Sequence, residues 1–460
     1  MIDLSSFCGD KIAVMGLGKT GLSTALFLHK AGANVVAWDD NQSSREYAES
    51  LGIKCIELTE IKKANIDFLI WSPGIPHTYP EPHLVAIQAK KEGIKIISDI
   101  DILSVAAPNA DYIGITGTNG KSTTTALIEH TLKQFRPTQM GGNIGIPVLD
   151  LEQLGAGGTY VLEMSSYQTE LSYSFSPVGA VFLNITPDHL YRHGGMKGYV
   201  EAKKKIFSNP NLFNVKPIAV VGIDTEDSYD VYEELEEDGI WDVIPVSTQK
   251  KLSKGFSVVG GILYEDNQKI SNLNDFQFLQ GQHNFENIAC AYAIISRLYK
   301  FDSHEIINAM KGFAGLAHRQ FLVTTLNNVK YINDSKATNA EATARALACF
   351  NDIYWILGGQ PKEGGLNGLD DYMHKIKHAY LIGEAANKFS EWLVKRNVPF
   401  TQCSILENAV KIAHQEAQES GSGVVLLSPA CASWDQFKSF EHRGDLFGQL
   451  VKDLMGQKLP

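Results

Sequence analysis

Gly114-Ile115-Thr116-Gly117-Thr118-Asn119-Gly120-Lys121-Ser122-Thr123 decides the fold class of this chain. Ahead of it, Tyr112, Ile113 and Ile115 make a short apolar run that reads as a buried strand. Behind it, Ala126, Leu127, Ile128 and Leu132 recur at helical spacing over 124–134, and Pro137 stops the run. Strand, glycine turn and helix in that order build an anion site. The glycines let the backbone curl so that several N–H groups face phosphate oxygens, and the helix N-terminus adds partial positive charge. Gly117, Thr118, Asn119, Gly120, Lys121, Ser122 and Thr123 are the expected phosphate-binding set. Lys121 would reach the outer phosphates and the Ser122 hydroxyl would ligand a magnesium ion. The usual P-loop has a glycine five residues before Gly120, and here that position is Ile115. The flanks and the Gly-Lys-Ser-Thr ending still assign a nucleoside triphosphate to this loop.

Working outward, 460 residues leave room for about three domains. A net charge of -11 and a pI near 5.7 argue against a nucleic-acid binder, which would show a basic face, so anionic ligands must be held by local basic and backbone groups. Cys8, Cys55, Cys290, Cys349, Cys403 and Cys431 are scattered without metal-ligand spacing and are expected to be free thiols of a reducing compartment. Residues 1–10 lack the basic start and apolar core of a signal peptide, and no uncharged apolar run reaches membrane length. The expectation is a cytoplasmic protein without membrane insertion.

The strand–helix rhythm predicts an α/β chain of three domains: a Rossmann-like N-terminal domain over 1–99, a central P-loop-type ATP-binding domain over 100–315, and a C-terminal Rossmann-like domain over 316–460. The first opens with a strand over 11–15, the turn Gly16-Leu17-Gly18-Lys19-Thr20-Gly21, a helix over 22–30 and a strand over 34–38 closing on Asp39, 18 positions past Gly21. That is a dinucleotide fingerprint, but any diphosphate can sit on such a turn. Diphosphate binding is the preferred reading, and an NAD-dependent oxidoreductase the alternative. A strand over 68–71 leads into Ser72-Pro73-Gly74, a tight turn at a strand's carboxyl end. Further strands are expected over 95–97, 160–163, 180–183, 218–221, 330–332, 353–357, 379–382 and 424–427, with a helix over 288–298. The acidic run 233–238 reads as a solvated surface. Three such domains in tandem should turn their strand ends toward common clefts. Glu163 at one strand tip is a candidate magnesium ligand, and His189 stands at a second tip of the same sheet.

The triphosphate loop in this form resembles the Mur ligases and their relative folylpolyglutamate synthase. Glu163-Met164-Ser165-Ser166-Tyr167-Gln168, Asn184 with Asp188-His189, Gly281-Gln282-His283-Asn284, Ala317-His318-Arg319, Asn333-Asp334-Ser335-Lys336-Ala337-Thr338-Asn339 and Leu427-Ser428-Pro429-Ala430-Cys431-Ala432-Ser433 follow in one order. Together they look like the D-glutamate-adding branch of the Mur ligase family, and the resemblance spans all three domains. It implies ATP-driven amide formation in peptidoglycan precursor synthesis. The carboxylate of UDP-N-acetylmuramoyl-L-alanine attacks the γ-phosphate to give an acyl phosphate, and the amine of D-glutamate displaces the phosphate. Bringing two anions together demands charge neutralisation, available from Lys121 and magnesium.

The resemblance further implies residue roles. Gly18, Lys19, Thr20, Asp39, Ser72, Pro73, Gly74, Asn143, Ser165, Gln168 and His189 would hold the UDP-activated acceptor, and Asn284, Asn287, Arg319 and Asp334 would complete the ATP site. Lys336, Thr338, Lys362, Ser433 and Phe440 would take D-glutamate, whose two carboxylates need donors at both ends. By composition, the lysines of 199–207 form the solvated face of an amphipathic helix. By resemblance, Lys203 is instead carbamylated by carbon dioxide and completes a second magnesium site with His189, near Glu163, so that the metal ligands are Ser122, Glu163, His189 and Lys203. The chain would act as a monomer. Some family members carry Asp-Thr-Arg where this chain has Asp39-Asp40-Asn41, so their base contacts do not carry over, whereas the glycine turn does. The alternatives are a folylpolyglutamate synthase-like or other Mur ligase, an oxidoreductase, and a non-catalytic nucleotide switch.

Overall fold

The computed structural model describes residues 2–211, 216–276, 278–279, 281–362 and 364–456. Among them the strands form three sheets. The first is wholly parallel, in the spatial order Lys54–Cys55, Asn34–Trp38, Lys11–Met15, Phe68–Trp71, Lys95–Ile97. Ile12, Ala13, Val14 and Met15 are all buried, as expected of a central parallel strand covered on both faces. The second runs Gln268–Asn272, Ile262–Glu265, Phe256–Val259, Asp242–Ser247, Ile218–Gly222, Gly179–Phe182, Asp111–Thr116, Thr159–Glu163, Thr138–Gly142, with an antiparallel meander at its first edge. The third runs Phe321–Leu326, Val329–Asn333, Gly423–Leu427, Ile353–Gly358, Ile376–Ile382, Phe400–Ser404, and its first pair is antiparallel.

The chain packs as two compact units. One comprises the residues up to Asp275 together with Gln282–Phe313 and holds the first two sheets. The other comprises Phe276–Gly281 and the residues from Ala314, and holds the third. In the first sheet, strand order reverses at Lys11–Met15; in the second it reverses at Asp111–Thr116. Ligands of open α/β sheets bind beyond strand carboxyl ends at such reversals. The turn starting at Gly16 and the loop starting at Gly117 leave the sheets at those two points.

Both glycine turns run into helices earlier than expected, at Lys19–Lys30 and Lys121–Leu132. Lys121, Ser122 and Thr123 therefore occupy the first helical turn, where backbone N–H groups lack intrahelical acceptors. The acidic run 233–238 ends the helix Glu226–Asp238, and Leu235 alone in it is buried. The cysteines are all free thiols.

Candidate active site

The triphosphate loop is braced from beneath. Its Thr118 hydroxyl lies 3.1 Å from the Tyr199 hydroxyl and accepts from the Thr186 N–H at 3.0 Å. Asn184 accepts from the Asn119 N–H at 3.0 Å and donates to Glu286 at 2.8 Å. Gly120 has φ +86°, and a Cβ there would fall 2.1 Å from Oδ1 of buried Asn287, so the position admits only glycine. Asn287 also accepts from Thr124 at 3.2 Å and donates to Asn284 at 3.2 Å. Asn287, one of the expected ATP-site residues, is thus the buried floor of the loop, and Asn284, another, is buried beside it. Lys121 lies folded back, its Nζ donating to the carbonyls of Gly117 and Thr118 at 2.8 and 2.9 Å.

Glu163 is 2% exposed at the tip of Thr159–Glu163, in register with Ile115 just before the loop. Its Oε1 accepts from Asn143 at 2.9 Å, and its Oε2 is buried with no protein partner. Lys203 is 1% exposed, against the composition-based expectation of a solvated lysine face; of its neighbours, Lys204 is half-buried and Lys205 exposed. The helix Met196–Lys204 turns Lys203 inward, where Nζ donates to Gly117 O at 2.7 Å and lies 4.8 Å from the Tyr199 ring centre. Burial, and then the charge of Lys121, push its pKa well below the ordinary lysine value. His189 has φ +50° and a side chain 49% exposed, with Nε2 3.5 Å from Asp188 and its ring 5.4 Å from that of Tyr167.

The first two sheets share a cavity of about 380 Å³. Lys19, Thr20, Pro73 and Gly74 line it from one side, and Asn143, Ser165 and Gln168 from the other, together with Tyr167. Seven of the expected acceptor-binding residues are thereby brought together. Lys19 crosses to Gly145 O at 3.1 Å. Ser72 and Asp39 shape the turn. Ser72 Oγ donates to Gly16 O at 3.0 Å, and Asp39 accepts from the N–H groups of Leu17 and Asn41 at 2.6 and 2.8 Å. Gly18 is the N-cap of Lys19–Lys30. Arg45 lays its guanidinium 4.3 Å from the Trp38 ring centre and donates to the carbonyls of Asp39 and Asp40 at 2.6 and 3.1 Å.

In the other unit, Lys362 donates to Thr338 at 3.3 Å, joining two expected D-glutamate contacts. Lys336 lies 4.7 Å over the Phe440 ring, and Ser433 is buried. Asp334 is buried, accepts from Ser428 Oγ at 2.8 Å and from the Gln320 N–H at 3.1 Å, and burial pushes its carboxyl up to about 7. Arg319 stands half-buried one residue before Gln320.

Residues 115–295 match the Mur ligase middle domain, and residues 10–98 match the N-terminal domain described as Mur ligase MurD-like. The chain is 46% identical to UDP-N-acetylmuramoylalanine–D-glutamate ligase of Rhodospirillum rubrum, over 99% of this chain and 97% of that protein. The enzyme of that name from Paramagnetospirillum magneticum is 44% identical, over 98% of each. The chain belongs to the Mur ligase family. Among solved structures, UDP-N-acetylmuramate-alanine ligase MurC from Thermotoga maritima has a TM-score of 0.60 at 19% identity, covering 97% of this chain and 100% of its own. MurF ligase from the same organism, in complex with ADP, has a TM-score of 0.56 at 17% identity, covering 99% and 98%. These likenesses are of fold, the three-domain α/β architecture of the family.

This Mur ligase also holds site residues that the sequence did not mark. Tyr167 lines the shared cavity, inside a motif whose polar members carry the expected contacts. Arg443 is fully buried and donates to Ser335 Oγ, Ser335 O and Cys431 O at 2.9, 2.8 and 3.1 Å, tying the 333–339 loop to the 428–433 loop. Its partners are mostly main-chain carbonyls, which leave no signature in a sequence.

Proposed function

We propose that this Mur ligase joins D-glutamate to UDP-N-acetylmuramoyl-L-alanine at the expense of ATP, in peptidoglycan precursor synthesis. The observation that carries the reading is the shared cavity. A diphosphate-type turn from one sheet and Asn143, Ser165 and Gln168 from the next enclose one space, and Asn143 connects it to Glu163 beside the triphosphate loop. An acceptor held there by its diphosphate extends its free carboxylate toward the nucleotide. Full-length relatives named as ligases leave no support for the oxidoreductase alternative.

The residues divide the work. The loop amides and Lys121 hold the ATP phosphates, Lys121 exchanging its two carbonyl acceptors for phosphate oxygens. The unpartnered buried oxygen of Glu163 fits a divalent cation, and with Ser122 it would hold magnesium. Among the described residues no cluster of three or more His, Cys, Asp and Glu is arranged for a metal, which suits magnesium, since that ion keeps waters and phosphate oxygens among its ligands. Bound there, magnesium neutralises the charge that two anions bring together. A buried lysine held in its neutral form can add carbon dioxide, losing a proton to leave a carbamate. We assign that modification to Lys203, with His189 as its neighbouring ligand at a second magnesium. Lys362, Thr338, Lys336, Ser433 and Phe440 receive D-glutamate. Acceptor and amino acid are small polar molecules, and we place the reaction in the cytoplasm, with a monomer as the working form. Among the described residues no helix is long and apolar enough to cross a membrane.

The test is phosphate release from ATP, screened across UDP-muramoyl precursors, folates and amino acids. Release should require UDP-N-acetylmuramoyl-L-alanine and D-glutamate together. Equal turnover with another acceptor or amino acid, or with neither, overturns the reading.

A further inference from the structure

We propose that Arg192 is a positioning residue that fixes the acceptor-binding turn after Phe68–Trp71 against the opposite wall of the cavity. The inference rests on the acceptor reading above. Arg192 lies in the four-residue helix Leu190–His193, bracketed by left-handed His189 and Gly194. It is 6% exposed. A buried guanidinium is costly unless its N–H groups are matched, and here both Nη atoms meet carbonyls of the 73–79 stretch. One Nη donates to Tyr79 O and the other to Pro73 O at 3.2 Å. Its flat face lies 4.7 Å from the centre of the Tyr167 ring.

These three partners describe a clasp. Pro73 and Tyr167 line the acceptor cavity from opposite sides, and Arg192 touches both. The two carbonyls are the ends of the stretch 73–79, so the fork spans the segment that presents Gly74. Neighbouring contacts hold the same seam. His193 lies 2.9 Å from Ser166 Oγ and 3.1 Å from Glu170, and Glu170 faces His77 at 3.9 Å. A Cβ on Gly194 would fall 2.9 Å from the Tyr79 ring. Arginine offers two donor nitrogens set apart in one plane, with a face to stack; lysine carries its donors on a single nitrogen and has no plane. Because the clasp grows from the segment that begins at His189, the acceptor turn and that histidine are set by one element.

A residue that merely filled space would alter stability and every kinetic constant together, whereas a clasp on the acceptor turn acts on one substrate. Arg192→Lys should raise KM for UDP-N-acetylmuramoyl-L-alanine by about 10-fold or more, with KM for ATP and kcat at saturating acceptor within about 3-fold of the parent. Gly194→Ala pushes on Tyr79 from the other side and should show the same selectivity. For Arg192→Ala, millimolar guanidinium should restore acceptor KM, and methylammonium at equal concentration should not. If the parent enzyme turns over this acceptor and both Arg192→Lys and Gly194→Ala leave its KM unchanged, the clasp is wrong while the function stands. Equal rises in acceptor and ATP KM, or failure of guanidinium to rescue a folded Arg192→Ala, also overturn it. If the parent enzyme does not use this acceptor, the function reading has failed first.

Discussion

Lys121 and Lys203 converge on one oxygen: their Nζ atoms donate to the Gly117 carbonyl at 2.8 and 2.7 Å. Two ammonium groups so close repel each other, and the more deeply buried one gives up its charge more readily. That one is Lys203. Burial is the larger cause of its depressed pKa and the Lys121 charge the next, while Asp188 and Glu163 oppose them.

Lys203→Ala should lower ligation by on the order of 100-fold or more, the scale of a lost electrostatic group at a transition state. Lys203→Glu should keep part of the activity, because it restores a carboxylate. Lys204 pairs at the surface with Glu201 and Glu234, and Lys204→Ala and Lys205→Ala should be mild. A carbamate signal from protein equilibrated with labelled carbon dioxide should vanish in Lys203→Ala. Full activity of that variant would remove the carbamate from the mechanism.

Lys121→Ala should abolish ATP turnover while changing stability by less than about 1 kcal/mol, since the side chain is half-buried and its Gly117 and Thr118 partners are loop carbonyls rather than a packed core. Thermal unfolding and phosphate release check the two halves separately. Ligation near the parent rate would refute the phosphate role.

Ser433→Ala and Lys362→Ala should raise KM for D-glutamate by about 10-fold and leave KM for ATP nearly unchanged. Lys362 already reaches Thr338, so its loss also frees that hydroxyl. Equal effects on both substrates would detach this site from the amino acid.

Asp334 gives a pH signature. Its carboxyl rises from the ordinary 3.8 to about 7 on folding, through burial. Between those values the folded chain keeps a proton that the unfolded chain releases, so stability falls as pH rises through this window and levels off above it. Asp334→Asn cannot titrate and should gain on the parent as pH climbs across the window. Melting temperatures of the two that run parallel from acid to neutral pH would contradict the raised value.

Most central parallel strands were legible in the sequence, as was the edge strand Lys95–Ile97, whereas the buried strand Asp242–Ser247 was not. Phe68–Trp71 and Thr159–Glu163 are near-continuous apolar runs, legible because central parallel strands are covered twice. Thr138–Gly142 and Phe400–Ser404 lie at sheet edges and carry polar residues or glycine, so nothing in them alternates or clusters. At the site, the glycine turns and Glu163 were readable because spacing and position state their chemistry, whereas Lys362 and Thr338 came only from family resemblance. Lys203 looked like one of three equivalent surface lysines, and only family resemblance singled it out. Arg192 and Arg443 gave no sign at all. Their partners are carbonyls of distant residues, and any residue type carries one.

The floor of the triphosphate loop has a consequence for the order in which this chain is made. A ribosome delivers Gly117–Lys121 early, with the strand and helix that flank it. Asn287 beneath Gly120, and Glu286, which holds Asn184 against Asn119, arrive only with the helix Gln282–Leu298. Until that helix has emerged, the loop lacks the support that fixes its curl. The loop therefore reaches its full set of supports late, after the second sheet is complete, and a fragment ending before Gln282 would carry the whole phosphate motif and its Tyr199 and Asn184 braces without the floor beneath Gly120.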